Sequence, residues 1–372
     1  MEKAVDVIPI FKRCPVLRDK LPYVSLGEFP TPVQKVDRIG ADIGASRLYV
    51  KRDDLSGRVY GGNKVRKLEF ILGDALRVNA REVLTFGFAG SNHCLATAIY
   101  ARQLGLRSIS MLMPQPNAQS VRRNLLVSHS YGAELHLYLN KTFVVLGTIY
   151  QLLIHGLRHG RFPQVIPPGG SSSRGVIGFV NAGLELKEQI LRGEMPEPDY
   201  IYVATGTMGT AAGLMLGLRV ADLRSQVVAV PVAHEKSVNA PKMVKLIHET
   251  NSLLCSLDPS FPRFEFSEKD IDIRHGFLGR GYALFTEEGM DAVARMERLE
   301  RIRLEGTYTG KAFAALINVV KGQEKNKDKV LLFWNTYNSK DFSDAMAGTD
   351  YHRLPRSFHR YYEEQVQPLD NV

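Results

Sequence analysis

The stretch GGNKVRKLEF at residues 61–70 places a lysine where it could act as a nucleophile. Two glycines allow a tight turn, Asn63 can cap the helix that follows, and Lys64 stands at the predicted helix start. The positive end of the helix dipole and the nearby Arg66 and Lys67 would lower the pKa of the Lys64 amine, so that it could form a Schiff base with a carbonyl compound. Lys67 shares the helix face and could bind an anion. For an isolated lysine, a solvated surface position would be the better interpretation.

A second turn, ATGTMGTAAGL at 204–214, follows an apolar run and precedes a predicted helix. The backbone N–H groups of Gly206 to Thr210, together with two hydroxyl groups, could hold a phosphate at the helix N-terminus. The turn lacks the lysine of a Walker motif and the glycine spacing of a dinucleotide-binding fingerprint. It therefore argues against an ATPase and against a dehydrogenase.

Further polar groups stand at similar turns. The motif GSNH at 90–93 offers Ser91 and Asn92 at a predicted strand-to-helix turn, and two later glycine-rich turns each present a tyrosine, Tyr282 and Tyr308. No set of metal-ligating residues stands together in the sequence. A phosphate cradle and an activated lysine without a metal indicate a cofactor that carries both a carbonyl and a phosphate, and pyridoxal phosphate fits that description.

Alternating strands and helices would bring these turns to one edge of a sheet. VLTFGFAG (83–90), SISMLMPQ (108–115), DYIYVATG (199–206) and VVAVPVA (227–233) are apolar runs separated by helical patterns. Such a rhythm predicts parallel sheets covered on both faces, with ligands bound beyond the carboxyl ends of the strands. Because no low-complexity linker divides the chain, we expect two interleaved domains.

Length and composition narrow the class of protein. The chain has 372 residues, of which 44% are hydrophobic and 23% charged, which suits two packed domains and excludes collagen-like, disordered and coiled-coil proteins. Cys14, Cys94 and Cys255 lie too far apart for a disulfide framework or zinc knuckle, as expected of a cytoplasmic protein. The N-terminus does not read as a signal peptide, and the longest apolar run, 142–154, is too short to span a membrane.

The charge balance leaves the C-terminus open to interpretation. The formal net charge is +9, and the segment after residue 340 is rich in arginine, histidine and tyrosine. Basic residues interleaved with aromatic ones could bind nucleic acid. The acidic residues of the same segment offset its positive charge, which favours docking on the body of the protein or on a second subunit.

The stretch LGEFPTPVQKVDRIGADIGASRLYVKRDDLSGRVYGGNKVRKLEF at 26–70 closely resembles the 1-aminocyclopropane-1-carboxylate (ACC) deaminase and D-cysteine desulfhydrase family. The resemblance continues through GSNH, PPGGSSSRGVIGFVNAGLEL, ATGTMGTAAGL, GRGYALFTEEGMDAV and TYTGKAFAAL, and covers most of residues 22–340. That family belongs to the tryptophan-synthase-β-like, fold type II pyridoxal-phosphate enzymes.

The resemblance implies a particular architecture. It is an α/β fold of two interleaved domains, each with a mostly parallel twisted sheet flanked by helices. Residues 1–65 and 180–372 would form the larger, cofactor-binding domain, with a C-terminal extension at 345–372. Residues 66–179 would form a smaller inserted domain. The same resemblance implies a homodimer.

The resemblance also implies roles for the cofactor-binding residues. Lys64 matches the lysine to which pyridoxal 5'-phosphate is covalently attached, Asn63 the neighbour that bonds the ring hydroxyl, and Lys67 the lysine on the phosphate side. The phosphate cradle would consist of Gly206, Thr207, Met208, Gly209 and Thr210.

Four further residues would act on the substrate side. Ser91 and Asn92 match the pair that meets the substrate carboxylate and the polar groups around the cofactor linkage. Tyr282 and Tyr308 match the two active-site tyrosines and are candidates for proton transfer.

Position 309 separates the activities within the resembled family. Deaminase members carry glutamate after the second tyrosine and leucine in a late strand-end motif, whereas desulfhydrase members carry serine or threonine and then threonine. This chain has Thr309 and Thr336. A carboxylate would keep the pyridine nitrogen protonated and the ring a strong electron sink. A hydroxyl partner leaves the ring neutral, which suffices to expel a thiolate but disfavours opening a cyclopropane.

The chain departs from the resembled family at several positions. The late motif usually reads HTGG, but here Tyr337 and Asn338 replace the two glycines, which predicts a pocket of changed shape. His93 stands where glutamine is common, and 234–236 (His-Glu-Lys) has no family counterpart and is interpreted as a polar loop. Cys94 is interpreted as a small core residue rather than a nucleophile.

The leading functional hypothesis is α,β-elimination from a small amino acid, of the D-cysteine desulfhydrase type, giving a 2-oxo acid and ammonia, with sulfide if the substrate is cysteine. The alternatives are racemisation, β-replacement or ACC deamination by a pyridoxal-phosphate enzyme. A non-catalytic descendant that binds anions or nucleic acid is a third hypothesis. The leading hypothesis requires neither a metal, nor a membrane, nor a nucleic-acid partner.

Overall fold

The structure is a computed structural model and describes residues 8–322, 327–346 and 348–370. Its strands are β1 Val33–Lys35, β2 Leu48–Lys51, β3 Glu82–Phe88, β4 Arg107–Met113, β5 Glu134–Leu137, β6 Gln164–Ile166, β7 Tyr200–Thr205, β8 Gln226–Pro231, β9 Asp272–Ile273 and β10 Leu331–Trp334. Its helices are α1 Pro9–Arg13, α2 Leu17–Lys20, α3 Asp37–Ile43, α4 Lys64–Arg77, α5 Asn92–Gln103, α6 Gln119–Ser130, α7 Lys141–His159, α8 Ser173–Leu191, α9 Gly209–Val220, α10 Ala240–Leu257, α11 Glu287–Glu300, α12 Thr309–Gly322, α13 Ser343–Met346 and α14 Arg360–Glu363.

The larger sheet has six strands in the order β1-β2-β10-β7-β8-β9. Only β1 runs antiparallel to its neighbour within this sheet. Along β7, Ile201 and Val203 pack into the cluster with α8, α9 and α10, whereas Tyr202 and Ala204 pack into the cluster with α3, α11 and α12. Burial on both faces explains why this strand reads as an unbroken apolar run.

The smaller sheet has the order β5-β4-β3-β6 and is parallel throughout. Val83 of β3 packs with apolar residues of α4 and α5, and Leu84 packs on the other face, with residues of α7 near it. The predicted α/β fold with two sheets flanked by helices is confirmed.

The predicted domain boundaries fall inside helices. The junction at 65/66 lies in the first turn of α4, and the junction at 179/180 lies within α8. All strands of the smaller sheet lie between Glu82 and Ile166, inside the predicted inserted domain, while the boundaries themselves stay a prediction.

The C-terminal segment lies on the body of its own chain. Phe358 and Tyr361 are buried in one cluster with Val121 and Leu125 of α6. The Nε atom of Arg122 donates to the carbonyl oxygen of Tyr361 over 2.6 Å. We call the ordered segment 350–370 the C-terminal strap; its docking agrees with the interpretation drawn from its offsetting charges.

Candidate active site

A cavity of about 560 Å³ lies beyond the carboxyl ends of both sheets, where polar turns from the two meet. The predicted site residues that line it are Asn63, Lys64, Lys67, Ser91, Asn92, Gly206, Thr207, Met208, Gly209, Thr210, Tyr282, Tyr308 and Thr336. The structure therefore brings together turns separated by more than 200 residues. Thr309 is the predicted site residue that does not line the cavity.

Lys64 is the first residue of α4 and is half-buried at the cavity wall. Burial lowers the pKa of its amine to about 8, with a small opposing effect from Cys94. The sequence predicted this direction but attributed it to the helix dipole and to the neighbouring cations. Desolvation is the larger cause, because Arg66 turns away from Lys64 into the core.

Arg66 sits at the centre of a buried ionic network. Its guanidinium lies 2.8 Å from Asp53 Oδ1 and 2.8 Å from Glu185 Oε2, and Lys51 Nζ lies 2.6 Å from Glu185 Oε1. Burial alone would raise the pKa of Glu185, but Arg66 and Lys51 outweigh it and lower the pKa to about 2. The indole N–H of Trp334 donates to Asp53 over 2.7 Å. The network ties the start of α4 to β10 and α8.

Asn63 does not cap α4 with its side chain, contrary to the sequence prediction. Its Nδ2 donates to Thr210 Oγ1 over 2.9 Å. This bond joins the turn before Lys64 (61–64, the lysine turn) to the predicted phosphate-binding turn (206–210, the phosphate turn). Sequence reasoning missed this pairing because Asn63 and Thr210 lie far apart in the chain.

Asn338 holds the lysine turn from the other side. Its Oδ1 accepts a hydrogen bond of 2.6 Å from the backbone N–H of Gly61. At Gly62, φ is +89°, and a Cβ atom would lie 2.9 Å from the carbonyl oxygens of Thr336 and Tyr337. Tyr337 lines the cavity, whereas Asn338 is buried behind it. Of the two residues that replace the glycines of the HTGG motif, Tyr337 therefore shapes the cavity and Asn338 positions the turn before Lys64.

The turn at 206–210, predicted to cradle a phosphate, connects β7 to α9 and faces the buried amine of Lys67. Lys67 Nζ donates to Gly169 O and Ser171 Oγ, each over 3.2 Å. Burial, and then the charge of Lys64, hold the pKa of Lys67 well below its usual value. A Cβ atom on Gly209 would lie 2.9 Å from Lys67 Nζ and 2.5 Å from Ser171 Oγ. Glycine at this position therefore keeps the space between the start of α9 and the Lys67 amine free of a side chain. A buried lysine amine with neutral partners, beside backbone N–H groups, suits a bound phosphate, whose negative charge would favour the protonated form of the amine.

Gly169 accepts from Lys67 beside the predicted cradle and was not among the predicted site residues. It lines the cavity, and Ser171, two residues further on, bonds the hydroxyl of Thr207 over 2.7 Å. Gly169 and Gly170 have φ values of +64° and +62°. The paired glycines of PPGGSSS were the available signal, since such a turn brings backbone close to a ligand.

The GSNH turn opens α5 beside the lysine. Ser91 caps the helix by accepting from Cys94 N over 3.2 Å, and Asn92 Oδ1 accepts from Asn124 Nδ2 over 2.9 Å. Burial, with Lys64 and Lys67 nearby, keeps the pKa of His93 well below its usual value, so its imidazole is neutral. Burial raises the pKa of the Cys94 thiol to about 11, in keeping with its interpretation as a core residue.

The two tyrosines meet at the cavity. The hydroxyls of Tyr282 and Tyr308 hydrogen-bond each other. Burial raises the pKa of Tyr282 to about 12 and that of Tyr308 well above its usual value. Both phenols are therefore protonated at neutral pH and can donate a proton.

Thr309 and Glu305 differ from expectation. The hydroxyl of Thr309 is fully buried and accepts from Glu305 N over 2.9 Å. Glu305 lines the cavity instead, and its carboxylate accepts from the backbone N–H groups of Thr307, Tyr308 and Thr309 over 2.7–2.9 Å. Burial raises the pKa of Glu305. An acidic residue ahead of the helix start was the signal for this cap.

The remaining cavity wall is apolar inside and polar at the mouth. Phe86, Phe88, Met111 and Met113 come from the ends of β3 and β4. His234, predicted to lie in a polar loop, is exposed at the mouth.

The C-terminal strap contacts the loop that carries Tyr282. Gln367 Nε2 donates to Ala283 O over 3.1 Å, and its Oε1 accepts from Phe285 N over 2.8 Å. Gln367 also donates its backbone N–H to Asn117 O over 3.0 Å. The strap thus links the tyrosine loop to the side of the smaller sheet.

The chain is similar to known proteins over most of its length. The sequence model of the pyridoxal-phosphate dependent enzyme family matches residues 24–336. A putative ACC deaminase of Pyrococcus horikoshii is 35% identical over 309 residues, which is 82% of this chain and 89% of that protein. A D-cysteine desulfhydrase of Klebsiella pneumoniae is 33% identical over 325 residues, covering 85% of this chain and 94% of that protein.

The chain is also similar in fold to solved structures. The crystal structure of an ACC deaminase homologue superposes with a TM-score of 0.73 and 31% identity, covering 91% of this chain and 99% of the other. Threonine deaminase isoform 2 from Solanum lycopersicum shares the fold, with a TM-score of 0.56 and 16% identity, over 95% of this chain and 87% of its own. Within the described residues, no helix combines the length and the apolar character needed to cross a bilayer.

Proposed function

The chain belongs to the family of pyridoxal-phosphate dependent enzymes, and we propose that it catalyses α,β-elimination from a small amino acid, giving a 2-oxo acid and ammonia. Its relatives are named for deamination of ACC and desulfhydration of D-cysteine. D-Cysteine or a close analogue is therefore the proposed substrate, with sulfide as the additional product.

The observation that carries the proposal is the pairing of two lysines across one cavity. Lys64 has a pKa lowered to about 8, which suits attachment to an aldehyde, and the buried amine of Lys67 lies among neutral groups at a helix N-terminus, where a phosphate would favour its protonation. Pyridoxal phosphate carries an aldehyde and a phosphate, and when bound it supplies the electron sink that stabilises a carbanion at the substrate α-carbon.

The residues of the chain have separate proposed tasks. The amine of Lys64, when it is not joined to the cofactor, would take and hold the proton of the substrate α-carbon. The side chains of Ser91 and Asn92 orient the substrate carboxylate. The hydrogen-bonded pair Tyr282 and Tyr308, both protonated, donates a proton to the departing β-substituent.

The choice of elimination over ring opening is supported by two residues. Thr336 lines the cavity as the desulfhydrase pattern requires. The Glu305 carboxylate also lines it but already accepts three backbone N–H groups of the α12 entrance, which leaves it less able to pair with a pyridinium. We propose that Thr309 acts indirectly, by bonding the Glu305 backbone.

The proposal is tested with the purified holoenzyme and the variant Lys64→Ala, with Lys245→Ala, at an exposed position of α10, as matched control. We expect the wild type and the control to show a cofactor absorbance band that borohydride abolishes, and Lys64→Ala to lack it. Assays of D- and L-amino acids and of ACC should give 2-oxo acid and, from D-cysteine, sulfide. A wild-type protein without cofactor would overturn the proposal.

Two other outcomes would favour the alternative hypotheses. Rapid uptake of solvent deuterium at the α-carbon without 2-oxo acid would indicate a racemase. Salt-sensitive binding of nucleic acid that persists in Lys64→Ala, without any turnover, would indicate a non-catalytic descendant. The homodimer and the cytoplasmic location stay predictions.

A further inference from the structure

A cluster of histidine and glutamate side chains lies at the amino ends of the strands of the smaller sheet, away from the cavity. Glu82 begins β3, and Phe88, which lines the cavity, ends it. At about 3.3 Å per residue the two ends of this strand lie roughly 20 Å apart. The cluster is therefore separate from the candidate active site.

We propose that Glu82, His155 and His159 form a binding site for a divalent transition-metal ion, with Zn²⁺ as the ion best suited. One ligand atom from each of the three residues lies within 4.8 Å of the other two. His155 and His159 are four residues apart and share one face of α7, as metal-binding histidine pairs on helices do. The sequence predicted no metal site, because Glu82 lies 73 residues before His155.

The distances suit a tetrahedral ion. Bonds of about 2.0–2.1 Å place the donor atoms of a tetrahedral zinc site roughly 3.3 Å apart. Glu82 Oε1 lies 3.0 Å from His155 Nδ1 and 3.6 Å from His159 Nε2. Two imidazoles and one carboxylate are a ligand set that zinc and its neighbours bind, with a further position left open.

The surroundings of His155 supply a second, independent observation. His155 is 5% exposed, and its Nε2 has no hydrogen-bond partner of acceptable geometry among the described residues. Glu134 Oε2 lies 3.3 Å from that nitrogen. With Nδ1 on a metal, Nε2 carries the proton and faces this carboxylate, which is the usual arrangement around a metal-bound histidine. His136 in turn lies 2.7 Å from Glu134 Oε1 and fixes it.

One neighbour opposes metal binding and offers a test. Arg107 Nε lies 2.9 Å from Glu82 Oε1, and its side chain is half exposed. Its positive charge competes with a cation for the same oxygen and lowers the affinity of the site. If the cluster were only a structural ion-pair network, neither Arg107 nor His159 would affect the binding of a metal.

The site would fasten the end of α7 to the first residue of β3. The opposite end of α7 contributes Lys141 and Val144 to the mouth of the cavity. A bound ion would stabilise the folded state by an amount that grows with the logarithm of its free concentration relative to the dissociation constant.

The test uses the untagged holoenzyme after dialysis against a chelator, titrated with Zn²⁺ by calorimetry and with Co²⁺ by visible absorbance. We expect one ion per chain, the visible bands of tetrahedral cobalt, and a higher unfolding temperature with zinc. His159→Gln should weaken binding by at least about tenfold, and Arg107→Gln should tighten it. His352→Gln, an exposed histidine of the strap, is the matched control.

Absence of saturable binding in the wild type would overturn the proposal, as would equal affinity in the wild type and His159→Gln. Because His159 is partly exposed at the last turn of α7, this variant should fold, which chemical denaturation without metal verifies. Binding should persist in Lys64→Ala, so the metal site and the proposed elimination can fail independently.

Discussion

The two walls of the cavity are held in place by different means. On the lysine wall, the start of α4 is fixed by Arg66 between Asp53 and Glu185, all of them buried. On the tyrosine wall, the loop with Tyr282 is fixed by Gln367 of the strap, a partly buried residue. The lysine wall therefore depends on buried core residues, and the tyrosine wall depends on the C-terminal strap.

The difference indicates how each wall responds to change. A buried ionic network is costly to leave incomplete, because a charge without its partner stays in a medium of low dielectric constant. A neutral hydrogen bond near the surface contributes only about 0.5–1.5 kcal/mol. The lysine wall lies within the region that the family model matches, residues 24–336, whereas the strap lies beyond it. We therefore expect the core network to determine whether the protein folds and the strap to adjust how well the tyrosines act.

The largest effect is expected for Arg66→Met. This change removes the guanidinium but leaves the Asp53 and Glu185 carboxylates buried, so the free energy of unfolding should fall by about 3–5 kcal/mol. Urea denaturation measures the loss. Arg77→Met, at the exposed end of the same helix and paired with Asp74, should lose no more than about 1 kcal/mol. Equal losses in both variants would contradict the special role of the core network.

The pH dependence of cofactor capture tests the lowered pKa of Lys64. An amine attacks an aldehyde only when it is neutral, so capture of pyridoxal phosphate by the apoprotein should speed up as the pH rises and the amine loses its proton. Because burial lowers the pKa of Lys64 from 10.5 to about 8, the rate should reach half its maximum near pH 8. Stopped-flow absorbance follows the capture, and Lys64→Ala is the blank. A half-maximum close to pH 10.5 would contradict the role given to burial.

Lys67→Gln tests the phosphate side of the same wall. A hydrogen bond to a charged group contributes about 1.5–3 kcal/mol, so the dissociation constant of the cofactor should rise roughly 10- to 100-fold. The apoprotein should not lose stability, because the change removes a buried amine whose hydrogen-bond partners are neutral and whose pKa burial already lowers. Fluorescence titration and denaturation measure the two quantities, with Lys245→Gln as control. Unchanged cofactor affinity would exclude Lys67 as the phosphate ligand.

The sequence predicted the residues of the lysine wall more fully than those of the tyrosine wall. Lys64, Lys67 and the turn from Gly206 to Thr210 belong to contiguous motifs, so their types and spacing were enough to predict a phosphorylated carbonyl cofactor. The resemblance supplied Tyr282 and Tyr308, which have no local signature beyond a neighbouring glycine.

The interactions that the sequence did not predict join distant parts of the chain. Asn63 meets Thr210, Asn338 meets Gly61, and Gln367 meets Ala283. Nothing in the local pattern around an asparagine or glutamine tells which distant backbone group it will bond. The Glu82 and His155 pair was missed for the same reason, since only the packing of α7 on the sheet brings them together.

The smallest effect, and the most informative about the tyrosine wall, is expected for Gln367→Ala. The variant loses one donor to Ala283 O and one acceptor from Phe285 N, about 0.5–1.5 kcal/mol each. Ala283 has a φ of +59°, a strained value for a residue with a Cβ, so the loop is expected to relax once Gln367 is gone. We expect kcat to fall several-fold while the cofactor affinity is unchanged, because the lysine wall is untouched.

Gln365→Ala is the control, since this strap residue is exposed and its structural contact is through its backbone. Gln367→Glu retains the acceptor alone, so its kcat should lie between that of Gln367→Ala and that of the wild type. Wild-type kcat in Gln367→Ala, or an equal loss in Gln365→Ala, would show that the strap does not position Tyr282 through this side chain.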